Sequence, residues 1–243
     1  MGVQALFNNN GDSNTALGNS ALFRNTLGSS NVAVGQGALG FNDTGTGNTA
    51  IGVQALNSNN IGHDNTAVGV LAGGGGIGAH NTATGGEALF SNIFGNFNTA
   101  NGDEALIVLT TGSDNTACGA FALASINKAS DNIALGFGAG AGLITGDNNI
   151  DIGNSGAAVE SSTIRIGSGQ TRTFIAGVRG RTTGVANAVP VLIDSNGQLG
   201  TASSSRRFKN DIKSMDKASE AILALKPVTF HYKSDSTNSH NLV

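Results

Sequence analysis

The chain has 243 residues, 37 of them glycine, with no tryptophan, two prolines and 12% charged residues. Large side chains are too scarce for an ordinary mixed α/β core, and glycine at this level without a three-residue period excludes collagen. The net charge of −3 hides two unlike parts, because residues 1–153 carry Arg24 and Lys128 against ten Asp or Glu while residues 154–243 carry eleven Lys or Arg against six; with no continuous basic stripe, nucleic-acid binding is not expected.

From the N-terminus the phrase Asn-Thr-Ala-x-Gly recurs. Gly2, Gly18, Gly35, Gly52, Gly69, Gly85, Gly102, Gly119, Gly136 and Gly153 are 17 residues apart except for two steps of 16. Asn14, Asn31, Asn48, Asn65, Asn81, Asn98, Asn115, Asn132 and Asn149 keep the same beat. One unit, NTAIGVQALNSNNIGHD from Asn48, holds two short apolar segments separated by glycine and closed by a polar tip. Alternation in Thr-Ala-x puts the alanines from Ala16 to Ala134 on one face and Thr with the variable residue on the other. The variable position is Leu17, Val34, Ile51, Val68, Thr84, Asn101, Cys118, Leu135 and Ile152, mostly apolar, so both faces are expected to be covered and Cys118 to be a small buried side chain. The predicted fold is all-β: a parallel β-solenoid, or β-roll, of about nine 17-residue coils, a rod on the order of 45 Å long at one strand spacing per coil.

Bulk for the core comes from a second segment, the pairs Ala21-Leu22, Ala38-Leu39, Ala55-Leu56, Ala88-Leu89 and Ala105-Leu106. Each coil offers roughly three or four apolar side chains at about 1.5–3 kcal/mol apiece, against about 1–2 kcal/mol of backbone entropy per ordered residue. A coil therefore cannot stand alone. Stacking completes its hydrogen bonds, and association of chains would cover any apolar face left outside, so an oligomer is expected.

The asparagines are read as a structural ladder, since Asn tolerates left-handed turns and its amide can bond the equivalent amide one coil on; a ligand array is the alternative. The glycines are read as tight corners, because no Gly-x-Gly-x-x-Gly lies between a strand and a helix. His63 and His80 are 17 apart and are placed to stack on neighbouring coils, but two histidines without a third ligand argue weakly for a metal, and no metal or cofactor is expected. Thr15, Thr49, Thr66, Thr82, Thr99 and Thr116 form a column reminiscent of an ice-binding face, although only Thr82 and Thr84 supply Thr-x-Thr. No aromatic cluster or charge pocket names a receptor. Cys118 is the single cysteine, so no intrachain disulfide exists. There is no run of 18 apolar residues and no basic-then-apolar opening, so direct membrane insertion is not expected. Met1 falls in mid-repeat, which reads as part of a longer protein with any export signal upstream.

Past Gly153 the period breaks. STIRIG over 162–167 and TFIAGVRG over 173–180 read as short capping strands. Val189 to Asp194, turning through Ser195-Asn196-Gly197 into Gln198-Leu199-Gly200, reads as a neck hairpin in which Asn196 and Gly197 supply positive φ. KASEAILAL over 217–225 places Ala218, Ala221, Ile222 and Leu225 on one helical face, and Pro227 ends the helix before a strand from Val228 to Lys233. The expected division is a repeat shaft over 1–153, a cap and neck over 154–203, and a last segment over 204–243.

The Asn-Thr-Ala-x-Gly-x-x-Ala-Leu units resemble the head repeats of trimeric autotransporter adhesins and the shafts of some phage or bacterial tail-fibre proteins. That resemblance implies a homotrimer of parallel β-rolls, displayed on a cell surface or virion, with a surface receptor or glycan as partner. The stretch Ser203-Ser-Ser-Arg-Arg-Phe-Lys-Asn-Asp-Ile-Lys, together with Leu225-Lys-Pro-Val-Thr-Phe-His-Tyr-Lys, resembles the start of the endosialidase-type intramolecular chaperone domain. In that family a trimerising C-terminal domain guides folding of a β-rich fibre, after which a Ser-Lys dyad cleaves on the N-terminal side of the serine. The resemblance implies Ser204 as nucleophile and Lys209 as its base, with autocleavage between Ser203 and Ser204. Lys209 would have to be desolvated and neutral, because an ammonium accepts no proton. Ser205 stands where the family often has Asp. The family domain continues for tens of residues beyond Val243, so little or no self-cleavage is expected. The function expected is a structural and adhesive fibre segment whose folding and trimerisation a self-cleaving chaperone would assist. The alternatives are a Ser-Lys peptidase acting mainly on itself and a monomeric ice-binding solenoid.

Overall fold

A computed structural model describes residues 2–76, 78–178, 189–201, 229–230 and 241–242. These form strands and turns, with no helix among the described residues. The helix expected over 217–225 lies outside them. Two compact units divide the chain, Met1–Thr173 and Phe174–Val243.

The first unit is a parallel β-solenoid. Ten strands of three residues lie side by side in chain order, from Thr15–Leu17 and Val32–Val34 through Ile150–Ile152 to Ile164–Ile166. Each strand belongs to a successive coil, and register is kept column by column: Thr49 lies beside Thr66, Ala50 beside Ala67, and Ile51 beside Val68. The 16-residue step is absorbed without a slip, since Thr66, Ala67 and Val68 lie beside Thr82, Ala83 and Thr84. Ile164–Ile166 pairs with Ile150–Ile152, so the stack continues one coil beyond Gly153. A two-residue parallel pairing of Asn8–Asn9 with Arg24–Asn25 lies on another side of the first coils.

Three residues per strand allow one inward side chain, and that is the alanine. In Thr49–Ile51, Thr66–Val68 and Thr99–Asn101 the central alanine is buried while its neighbours are half-buried or exposed. Among the described residues of this unit only the alanine face is covered: the Thr and variable columns share an outward face. Cys118 lies on that face and is half-buried, rather than a core residue.

The rest of the interior is filled by Leu22, Leu39, Leu89, Leu106 and Leu123, all but sealed from solvent. These leucines sit at φ between 47° and 56°, a left-handed conformation that costs an L-residue about 1–2 kcal/mol. Burial of the side chain offsets it at about the same scale. The corner glycines are compelled twice over. Gly52 has φ +138°, and a Cβ there would lie 2.3 Å from the Gly69 carbonyl oxygen of the next coil.

In the second unit, Val191–Ile193 and Leu199–Thr201 form an antiparallel hairpin with Ile193 opposite Leu199. Of the two turn residues expected to have positive φ, only Gly197 does, at 82°. The Gly197 N–H donates to the Asp194 carbonyl at 3.0 Å and the Gln198 N–H to Asp194 Oδ1 at 2.9 Å. The loop is thus one residue longer than a tight two-residue turn, and a single left-handed glycine closes it. Thr229–Phe230 pairs antiparallel with Asn241–Leu242.

Candidate functional site

The asparagine columns are the most ordered polar feature of the solenoid. The Asn48 N–H donates to Asn31 Oδ1 at 2.9 Å and its amide donates to the Gly62 carbonyl at 2.8 Å, while Asn48 Oδ1 accepts from the Asn65 N–H at 3.0 Å. The pattern repeats to Asn149, whose Oδ1 accepts from the Thr163 N–H. Asn14 is half-buried at the open end and the other eight are buried. Each amide holds a turn to its own strand and to the next coil, and every buried polar atom of Asn48 is engaged. None is left to grip a ligand.

A second interior column escaped the sequence reading. Asn25, Asn42 and Asn59 are buried, each donating to the glycine carbonyl three residues later, and Asn42 and Asn59 also donate to the Oδ1 of the preceding asparagine. Asn92 repeats the bond to its glycine. In later coils the same position is Leu109, Ile126 and Leu143, all fully buried. The signal was present as the same 17-residue step, hidden by the change of residue type.

On the outward sheet face, Leu17, Ile51, Val68 and Leu135 are between 37% and 54% exposed, and Ile164 and Ile166 more so. Thr84 and Asn101 interrupt this apolar column in mid-stack. Apolar side chains therefore line this face in the early and late coils, with a polar break between them. Threonines line it on one side, with Thr82 and Thr84 the one Thr-x-Thr.

The coil period also brings aromatic residues of neighbouring coils into contact. Phe7 stacks on Phe23 with centroids 5.4 Å apart, and Phe121 meets Phe137 edge to face at 5.7 Å. His63 and His80 meet at 4.8 Å, and His80 lies flat on Phe97 at 4.8 Å. A hollow of about 440 Å³ opens beside Gln54, Asn57, Phe90, Ser91 and Thr110.

At the far end of the core a charge replaces the alanine. Asp151 continues the column of Ala134 and is 1% exposed, with neither carboxylate oxygen hydrogen-bonded. Burial pushes its pKa up, and the neighbouring Glu160 pushes it further, while Arg165 pulls it down. Arg165 lies beside Asp151 in the last strand pair but spends its hydrogen bonds on Glu160, at 2.8–3.0 Å. Those bonds hold the Glu160 carboxyl below its usual range.

Ser204 and Lys209 lie outside the described residues, as does the scissile bond after Ser203. No helix among the described residues is long and apolar enough to cross a membrane. Residues 204–241 match the chaperone of endosialidase family, Peptidase S74. That match begins at Ser204 and takes in Lys209 and Phe230-His231-Tyr232, so the C-terminal stretch is similar to the chaperone of endosialidase. No curated protein and no solved structure matches the chain.

Proposed function

We propose that the chain is part of an extracellular fibre, on a cell surface or virion, in which a trimeric β-solenoid shaft is folded with the help of the C-terminal chaperone segment. The observation that carries this is the outward apolar face from Leu17 to Ile166 on the solenoid sheet, which no other described residue of the solenoid unit covers. Three copies sharing an axis along this face would bury the column, and the polar break at Thr84 and Asn101 would fix their relative height. Adhesion is assigned to the hollow beside Phe90, which sets an aromatic ring next to amides and hydroxyls, chemistry suited to a surface receptor or glycan.

Within the segment similar to the chaperone, Ser204 Oγ is proposed to attack the Ser203 carbonyl as a neutral Lys209 accepts its proton; the Ser203–Ser204 peptide C–N bond breaks, the proton passes to the leaving Ser204 amine, and water hydrolyses the resulting ester to separate the chains. Sedimentation equilibrium at micromolar concentration is expected to give three times the chain mass; a monomer sinks the shaft assignment. Intact mass after prolonged incubation addresses the dyad separately. A break between Ser203 and Ser204 that is absent in Ser204→Ala supports it, and a break that persists in that variant removes it.

A further inference from the structure

We propose that His63, Asp64 and His80 form a binding site for a borderline divalent transition metal ion of the zinc kind, clamping two adjacent coils of the shaft. His63 Nδ1 lies 3.0 Å from Asp64 Oδ2, and His80 Nδ1 lies 3.9 Å from the same oxygen. One ligand atom from each residue falls within 4.8 Å of the others. Two imidazole nitrogens and a carboxylate oxygen are the donor set of three-ligand zinc sites, in which the remaining position stays open to water. Metal–ligand bonds of about 2.0–2.2 Å place tetrahedral donors roughly 3.4 Å apart, so the widest of these separations must shorten by more than about 1 Å. All three side chains are between 40% and 56% exposed, so rotation on the surface closes that gap without disturbing the core.

The fold places these residues for reasons that sequence spacing alone does not reveal. Asp64 and His80 are each the residue before the ladder asparagine, Asn65 and Asn81, so they occupy the same turn position on successive coils. Both have left-handed backbone, at φ 54° and 57°. That coil is one of the two 16-residue steps, and His63 precedes Asp64 on the lower coil. The His80 N–H donates to the His63 carbonyl at 3.0 Å, which locks the two turns together beneath the rings. The column then continues to Phe97, on which the His80 ring lies flat, 4° from parallel. On the other side the column has Gly47. A Cβ there would be 2.4 Å from Asp64 Oδ1, so a larger residue at 47 would push the carboxylate away from the histidines. Glycine below, a stacked ring above and a backbone bond between the turns keep the three donors converging.

Simple aromatic stacking accounts for His80 on Phe97. His63 meets His80 edge to face, its ring turned 89°, and is held by its bond to Asp64. Because Asp64, not His63, lies at the turn position of His80 on the coil below, that bond is what brings the His63 nitrogen to the carboxylate that His80 also faces. Bound across two coils, the ion would add a crosslink where the shaft has its shortened step. This assignment stands on the solenoid alone and is independent of whether the shaft trimerises.

The test is zinc titration of the full chain by calorimetry in a non-chelating buffer, beside the double variant His63→Gln/His80→Gln. His231 and His240 provide other imidazoles in the chain, so the difference between the two proteins is the readout. The wild-type chain is expected to bind one more equivalent of zinc than the double variant. Asp64→Asn alone is expected to weaken that equivalent at least tenfold, and Cys118→Ser to leave it unchanged. Cobalt bound in place of zinc should give visible d–d absorption that the double variant lacks. Circular dichroism of the metal-free variants checks that the shaft has folded, which exposed substitutions should allow. Equal stoichiometry in wild type and double variant, both folded, overturns the site and leaves an aromatic ladder only.

Discussion

The early and late coils of the shaft fill the same interior position in opposite ways. Asn25, Asn42 and Asn59 stack amides there, while Leu109, Ile126 and Leu143 stack aliphatic groups, and the strands beside them keep the same register. A solenoid interior is therefore indifferent to polarity provided that each buried donor and acceptor is matched by the coil above or below. The corner glycines, in contrast, are the same in both halves, since there the constraint is the approach of backbone to backbone.

The strongest way to probe this contrast is to strike what the halves share. Gly52→Ala and Gly119→Ala, one from each region, put a Cβ 2.3 Å from the carbonyl oxygen of the next glycine at φ near +138°. Each is expected to cost about 3 kcal/mol or more, equally in the two halves, by denaturant unfolding at a fixed protein concentration. Unequal losses would mean that the corners are not one repeated device.

A smaller effect separates the halves. Ile126→Asn buries an amide between Leu109 and Leu143, which offer no polar partner, and is expected to cost about 2–4 kcal/mol. Leu109→Asn adds an amide beside Asn92 and merely lengthens the existing ladder, so it should cost roughly half as much. Equal costs would show that the amide column is not cooperative between coils.

The smallest effect lies where the alanine column ends. Asp151→Ala continues the column of Ala134 and removes two unpartnered buried oxygens, and is expected to stabilise the shaft by about 1 kcal/mol at pH 7. The folded pKa of Asp151 is raised above its ordinary 3.8, so the folded chain holds this proton more tightly than the unfolded chain. The associated stability is fully present below 3.8 and is lost as pH rises through the raised value. The advantage of the variant should therefore shrink on going from pH 7 to pH 4; an advantage that grows in acid would contradict the burial of an unpaired carboxyl.

Much of this was legible in the residues. The 17-residue beat of Asn and Gly named the coil, and alternation in Thr-Ala-x separated alanine from threonine. The second amide column was not legible, because its members change from Asn92 to Leu109 and composition no longer marks the position. The histidines were visible as a pair, but Asp64 was not visible as their companion, since its usefulness depends on where the turn points its carboxylate. Cys118 was expected to be buried because both strand faces were expected to be covered, whereas it is half-buried on the outward face.

The sequence by itself determined the length of a coil, the strand in each repeat and the columns that stack, because a repeated backbone geometry needs the same residue at the same phase; the added coil at Ile164–Ile166 came only from the structure. Tertiary structure alone decided which face stays uncovered, why leucine accepts a left-handed backbone, and which side chains meet across coils. Those outcomes depend on the closure of each turn upon the next, and closure is a property of the stacked coils that no single unit carries.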